Sequence, residues 1–125
     1  MPNYMLLLYS AEVDEAGQAE RDAEMPEWLA IGERLEGAGL LVANARLHPV
    51  AAATTVRVRE GATEVFDGPF AVTKEILVGY YLLNCSDLDE ALGQAARLPL
   101  ARYGSVEVRP VMDIPTPGPV AAQPA

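Results

Sequence analysis

Asp67-Gly68-Pro69-Phe70-Ala71-Val72-Thr73-Lys74-Glu75 runs directly into Ile76-Leu77-Val78-Gly79-Tyr80-Tyr81-Leu82-Leu83-Asn84-Cys85. The first stretch sets two residues that break regular structure, Gly68 and Pro69, between an acid and an aromatic, and then adds a short polar run. The second is the longest apolar run of the chain, and residues 77–85 read as a buried strand with Tyr80 and Tyr81 facing opposite ways. A constrained polar loop feeding a central strand narrows the fold and marks a candidate site.

Upstream of the loop, Thr54-Thr55-Val56-Arg57-Val58-Arg59 alternates in residue type as a half-buried strand does. Glu60-Gly61-Ala62-Thr63 is a turn signal, and Glu64-Val65-Phe66 pairs back to complete a hairpin. Residues 40–47 form a strand closed by Pro49. Before them, Pro26 opens a helix, and Trp28, Ile31, Leu35 and Ala38 give it one apolar stripe that ends at Gly37 and Gly39. Residues 11–24 are acidic, include Gly17 and read as a loop; residues 4–9 form the first strand. Downstream, Ser86 with Asp89, or Asp87 with Glu90, has the spacing of a capping box. Leu88, Ala91, Leu92 and Ala95 form the stripe of the helix it opens. Arg97 suits that helix's C-terminal end, and Pro99 marks its exit. Val106-Glu107-Val108-Arg109 alternates as a last strand.

The order strand-helix-strand, hairpin, strand-helix-strand predicts an α+β domain over residues 1–112. It is a ferredoxin-like antiparallel four-stranded sheet with two helices on one face and an inserted hairpin. Residues 113–125, with Pro115, Pro117, Pro119 and Pro124, form a Pro-rich C-terminal tail expected to be extended or mobile. No helix covers the second sheet face. Tyr80 or Tyr81, Glu107, Arg109, Arg57 and Arg59 are its candidates, and a second copy is the simplest cover, giving a homodimer with a cavity between sheets.

Composition excludes several roles. The chain has 125 residues, enough for one domain, and half are hydrophobic. Its 18 acidic against 9 basic residues give a net charge of −9, which disfavours nucleic acid and anionic membrane alike. Lone Cys85 makes no internal disulfide and reads as a strand-core residue. No signal sequence or membrane span is visible, so a cytoplasmic location is expected. No phosphate loop, nucleophile elbow, zinc set or calcium loop occurs, so no cofactor is expected.

Several motifs in order carry a resemblance to a known family. They are Thr54-Thr55-Val56-Arg57-Val58, Asp67-Gly68-Pro69-Phe70, Thr73-Lys74-Glu75, Asp87-Leu88-Asp89-Glu90-Ala91 and Val106-Glu107-Val108-Arg109-Pro110-Val111. Over residues 4–112 the chain resembles the YCII-related family, in its DGPF-domain branch. The resemblance implies a dimeric α+β barrel of undefined biochemical role, with a regulatory connection to extracytoplasmic-function sigma factors. It also implies a His–Asp pair in a cleft. The acid of that pair matches Asp67, while the position of the histidine holds Trp28.

The residues themselves offer two chemistries. Asp67 is either a turn residue bonding backbone amides or a cleft carboxylate acting as general base. His48, extended before Pro49, is either a surface residue or an acid–base group. A pair of the two is expected to form if the hairpin between them returns the chain near its start. Arg57, Arg59 and Arg109 are candidates to grip a carboxylate or phosphate, with cross-strand pairing such as Arg59 to Glu107 as the alternative. Tyr81 or Tyr80 is the candidate to present a hydroxyl to the cavity. A metabolite-binding or regulatory homodimer, a cofactor-free lyase or isomerase acting on a small organic acid, and an interaction module are the roles compatible with this set.

Overall fold

The computed structural model describes residues 2–114. The elements are β1 (Asn3–Ser10), α1 (Glu15–Asp22), α2 (Met25–Gly37), β2 (Leu41–Arg46), β3 (Thr54–Arg59), β4 (Ala62–Asp67), β5 (Ile76–Asn84), α3 (Leu88–Ala96) and β6 (Ser105–Pro110). Short 3-10 turns occupy Val50–Ala52 and Pro99–Arg102. Four strands form an antiparallel sheet in the order β2-β5-β1-β6, and β3 and β4 pair only with each other.

Alternation in the two central strands builds the core. Tyr4, Leu6 and Leu8 of β1, with Tyr81 and Leu83 of β5 and Cys85 just beyond it, are buried in one cluster with Ile31 and Leu35 of α2 and Ala91 and Ala95 of α3. Both helices therefore lie on the same face of the sheet. Cys85 is fully enclosed, as its size and apolar setting predict. Ala91 and Ala95 are small enough to bring α3 close to the strands; Leu88 and Leu92, expected in the stripe, flank that contact and stay exposed. Leu98, Pro99 and Leu100 are buried too, so the 3-10 turn after α3 closes the core and does not merely mark the helix exit.

Local chemistry fixes the ends. The Asp87 carboxylate accepts from the Glu90 amide at 2.9 Å, and Glu90 in turn accepts from the Ser86 amide at 2.9 Å. This selects the Asp87–Glu90 alternative for the start of α3. The β3–β4 turn is tighter than expected: Arg59 pairs with Ala62, leaving Glu60 and Gly61 as a two-residue loop. Both have positive φ, at 52° and 79°, as a type I′ hairpin turn requires.

One segment differs from its sequence reading. Residues 15–22, expected as loop, form α1. This helix buries no residue, so it has no apolar stripe to betray it. Its support is polar: Asp14 caps the Gly17 amide at 2.8 Å, and Gln18 donates to Asp22 at 2.9 Å. Arg21 ties the helix to β1 through Ser10 Oγ and the Ala11 carbonyl, each at 3.2 Å. The predicted proline-rich tail, apart from Asp113 and Ile114, lies outside the described residues.

Two glycines give opposite predictions. A Cβ on Gly79, in the central strand β5, would stand 2.6 Å from the Ala45 carbonyl oxygen, a backbone atom of β2 that cannot swing aside. Gly79→Ala is expected to cost about 1–3 kcal/mol in urea unfolding. Gly32, inside α2, has open space around the same position. Gly32→Ala is expected to add about 0.5–1 kcal/mol.

Candidate functional site

The uncovered face of the sheet is the first candidate. Residues alternating with the core set form two rows across the four strands: Ala45, Tyr80, Leu7, Glu107 and Ala43, Leu82, Met5, Arg109. Met5, Leu7, Tyr80 and Leu82 are only half-buried. At the β6 edge Arg109 Nε lies 3.7 Å from Glu107 Oε2. An apolar floor thus ends in an exposed charged pair, with the Tyr80 side chain on the same face. Glu107 pairs with Arg109 on its own strand, and Arg59, considered as its partner, instead donates to the neighbouring Val58 carbonyl at 3.1 Å.

Tyr81 is not on that face. It is buried among the helices, its ring 6.2 Å from that of Trp28 and stacked at 21°. Burial raises the Tyr81 pKa, with a side-chain hydrogen bond to Asn44 pulling the other way. The physical reason is parity: Tyr81 pairs with Leu6, a core residue, while Tyr80 pairs with Leu7. The tyrosine on the uncovered face is therefore Tyr80. Trp28 packs with the buried Tyr81, on the side of the sheet away from the uncovered face.

Arg57 and Arg59 are likewise off the four-stranded sheet. They belong to the β3–β4 hairpin, on the side carrying Thr55 and Phe66. The Arg57 guanidinium sits 5.0 Å over the Phe66 ring, and its Nε is enclosed without a hydrogen-bond partner among the described residues. The opposite side of the hairpin carries Val56, Val58 and Val65, exposed at 63%, 60% and 66%, together with Asp67.

The hairpin does return the chain to its start. The Gly68 amide donates to the Ala53 carbonyl at 2.7 Å, and Thr55 Oγ1 donates to the Gly68 carbonyl at 2.8 Å. Gly68 takes φ 97°, open to glycine and strained for other residues. His48 lies nearby in an open recess of about 270 Å³, with Leu47, Pro49, Val50, Ala53 and Leu77 among its walls. Leu77 pairs with Tyr9, so this recess borders the uncovered sheet face. Asp67 does not line it, and His48 and Asp67 share no hydrogen bond or ion pair. The carboxylate points with the valine side of the hairpin.

Other chemistry is sparse. The Cys85 thiol is pushed up by burial first and by Glu90 and Asp87 next, which makes it a poor nucleophile. No group of three or more His, Cys, Asp or Glu side chains among the described residues is placed to hold a metal ion. No described helix is long and apolar enough to cross a membrane. In the DGPF loop, Glu75 accepts from Ser105 Oγ at 2.8 Å, tying the loop to β6, while Phe70 and Val72 are 76% and 99% exposed. A second concavity, between α2 and α3, holds Arg34 and Arg97. Nothing in the sequence signalled it, because its two arginines lie far apart along the chain.

A family model described as the YCII-related domain matches residues 3–115. An uncharacterised protein of Rhizobium meliloti (strain 1021) is 46% identical over 112 residues, covering 86% of this chain and 90% of that relative.

A polar cluster joins the start of α2 to the turn before β6. Tyr103 Oη donates to Glu24 at 2.8 Å, Arg21 lies 4.2 Å over the Tyr103 ring, and Arg102 bonds both Glu27 oxygens. Burial, and then Glu24, pushes the Tyr103 phenol from 10.0 up to about 12. The unfolded phenol ionises near 10 while the folded one holds its proton, so this contribution to stability is complete below pH 10 and lost as pH rises toward 12. Stability is expected to fall across that window, and Tyr103→Phe is expected to flatten the slope in urea titrations.

Proposed function

The chain belongs to the YCII-related domain family, and from that premise we propose that it acts as a homodimeric, metabolite-binding protein of the DGPF branch. In this reading the ferredoxin-like sheet meets the same sheet of a second copy, closing a barrel-like sandwich around a ligand-sized cleft. The observation that carries it is the uncovered face itself. Met5, Leu7, Tyr80 and Leu82 form an apolar floor on a side that no described helix covers. Water on such a floor is unfavourable by roughly 25 cal/mol per Å². The exposed valine side of the hairpin supports the same conclusion, because an isolated two-stranded hairpin is marginal in water.

The ligand class follows from the rim. Arg109 is exposed, its pairing with Glu107 is long at 3.7 Å, and a guanidinium favours a carboxylate that it can grip with two donors. Tyr80 on the same face adds a hydroxyl. A small carboxylate-bearing metabolite suits this set. An accessory role in sigma-factor regulation fits a binding module of this kind and rests on family resemblance. The lyase or isomerase reading needs His48 and Asp67 to converge, and within one chain they share no hydrogen bond or ion pair and Asp67 does not line the recess that holds His48, so binding is the better supported role.

Light scattering on the eluting protein is expected to give twice the mass of one chain, and Leu82→Lys to give a single chain that remains folded. Saturating small carboxylates are expected to raise the melting temperature by about 4 °C or more, and Arg109→Gln to abolish the rise. A wild-type protein that elutes as a monomer at micromolar concentration would refute the dimer. Carboxylate shifts unchanged by Arg109→Gln would refute the assigned rim.

A further inference from the structure

The recess between α2 and α3 lies on the helix layer, away from the face proposed to join two copies. Glu27, Ala30, Ile31 and Arg34 line it from α2 at positions i, i+3, i+4 and i+7, and Arg97 lines it from the end of α3. Its volume is about 310 Å³, near the lower bound for small-molecule sites.

Its charge is unusual for an acidic chain. Arg34 Nη1 donates to Gln94 Oε1 at 2.8 Å, which points the guanidinium across the groove toward α3. Gln94 and Arg97 are three residues apart, on neighbouring positions of that helix. Neither arginine has a carboxylate within ion-pair distance among the described residues. The one acid on the wall, Glu27, is already held through both oxygens by Arg102, at 3.1 Å each. A guanidinium carries five N–H donors. Arg34 uses one on an amide, and the Arg97 side chain makes no hydrogen bond among the described residues. Two cations facing one groove repel each other, and burial together with Arg97 lowers the Arg34 pKa.

We propose that this α2–α3 recess binds a phosphoryl group, with Arg34 and Arg97 gripping its oxygens and Ala30 and Ile31 receiving the carbon attached to it. A phosphoryl dianion matches the two positive charges, whereas a monocarboxylate leaves one unbalanced. The groove is open, so the ligand is a small phosphate monoester or inorganic phosphate and not a buried cofactor.

The test is an NMR titration of the full chain at low ionic strength with phenyl phosphate and, separately, inorganic phosphate. Saturable shifts are expected at the Nε–Hε groups of Arg34 and Arg97. Arg97→Gln, an exposed change checked for native circular dichroism, is expected to weaken binding by about tenfold or more. Arg46→Gln, at an exposed pair with Asp22, is expected to leave it unchanged. Tighter binding of phenyl phosphate identifies an ester as the ligand, and equal binding identifies free phosphate. Shifts that fail to saturate, that spread equally to Arg46, or that survive Arg97→Gln would overturn the proposal.

Discussion

Everything in this molecule depends on the period-two alternation of its central strands. In β1 and β5 both sets of side chains are largely apolar, but the helices cover only one set. Tyr4, Leu6, Leu8, Tyr81 and Leu83 gain a core from α2 and α3, and Met5, Leu7, Tyr80 and Leu82 do not. A strand with one wet face normally carries polar residues there. That mismatch, more than any single catalytic group, shapes the functional reading.

The sheet, the hairpin and two of the three helices were legible because each has a periodic apolar signal or a capping signature. α1 was not, since a helix that buries nothing carries no stripe, and Gly17 argues against helix. Boundaries shifted by a residue or so where hydrogen bonds, not hydropathy, decide them. Leu88 and Leu92 show a further limit: periodicity marks a face, but the packing distance set by Ala91 and Ala95 decides which part of that face is buried.

The site was less legible for a related reason. Tyr80 and Tyr81 are equivalent in sequence, and only the pairing with Leu7 or Leu6 separates the uncovered face from the core. Arg57 and Arg59 look like sheet residues by alternation, but the hairpin forms its own sheet. Asp67 and His48 illustrate the difference between a chain returning to its start and side chains meeting. The backbone of residue 68 closes on residue 53, while His48 lines a recess that Asp67 does not. Arg34 and Arg97 are 63 positions apart, and only the helix packing brings them to one groove.

Whether a second copy covers the bare sheet face can be read from solvent paramagnetic relaxation of methyl groups. Leu6 and Leu83, fully buried, and Leu29, 61% exposed on α2, serve as internal references. Met5, Leu7 and Leu82 are expected to be as protected as Leu6 and Leu83, and to lose that protection on dilution. Relaxation of these three between the two references, unchanged by concentration, would contradict it.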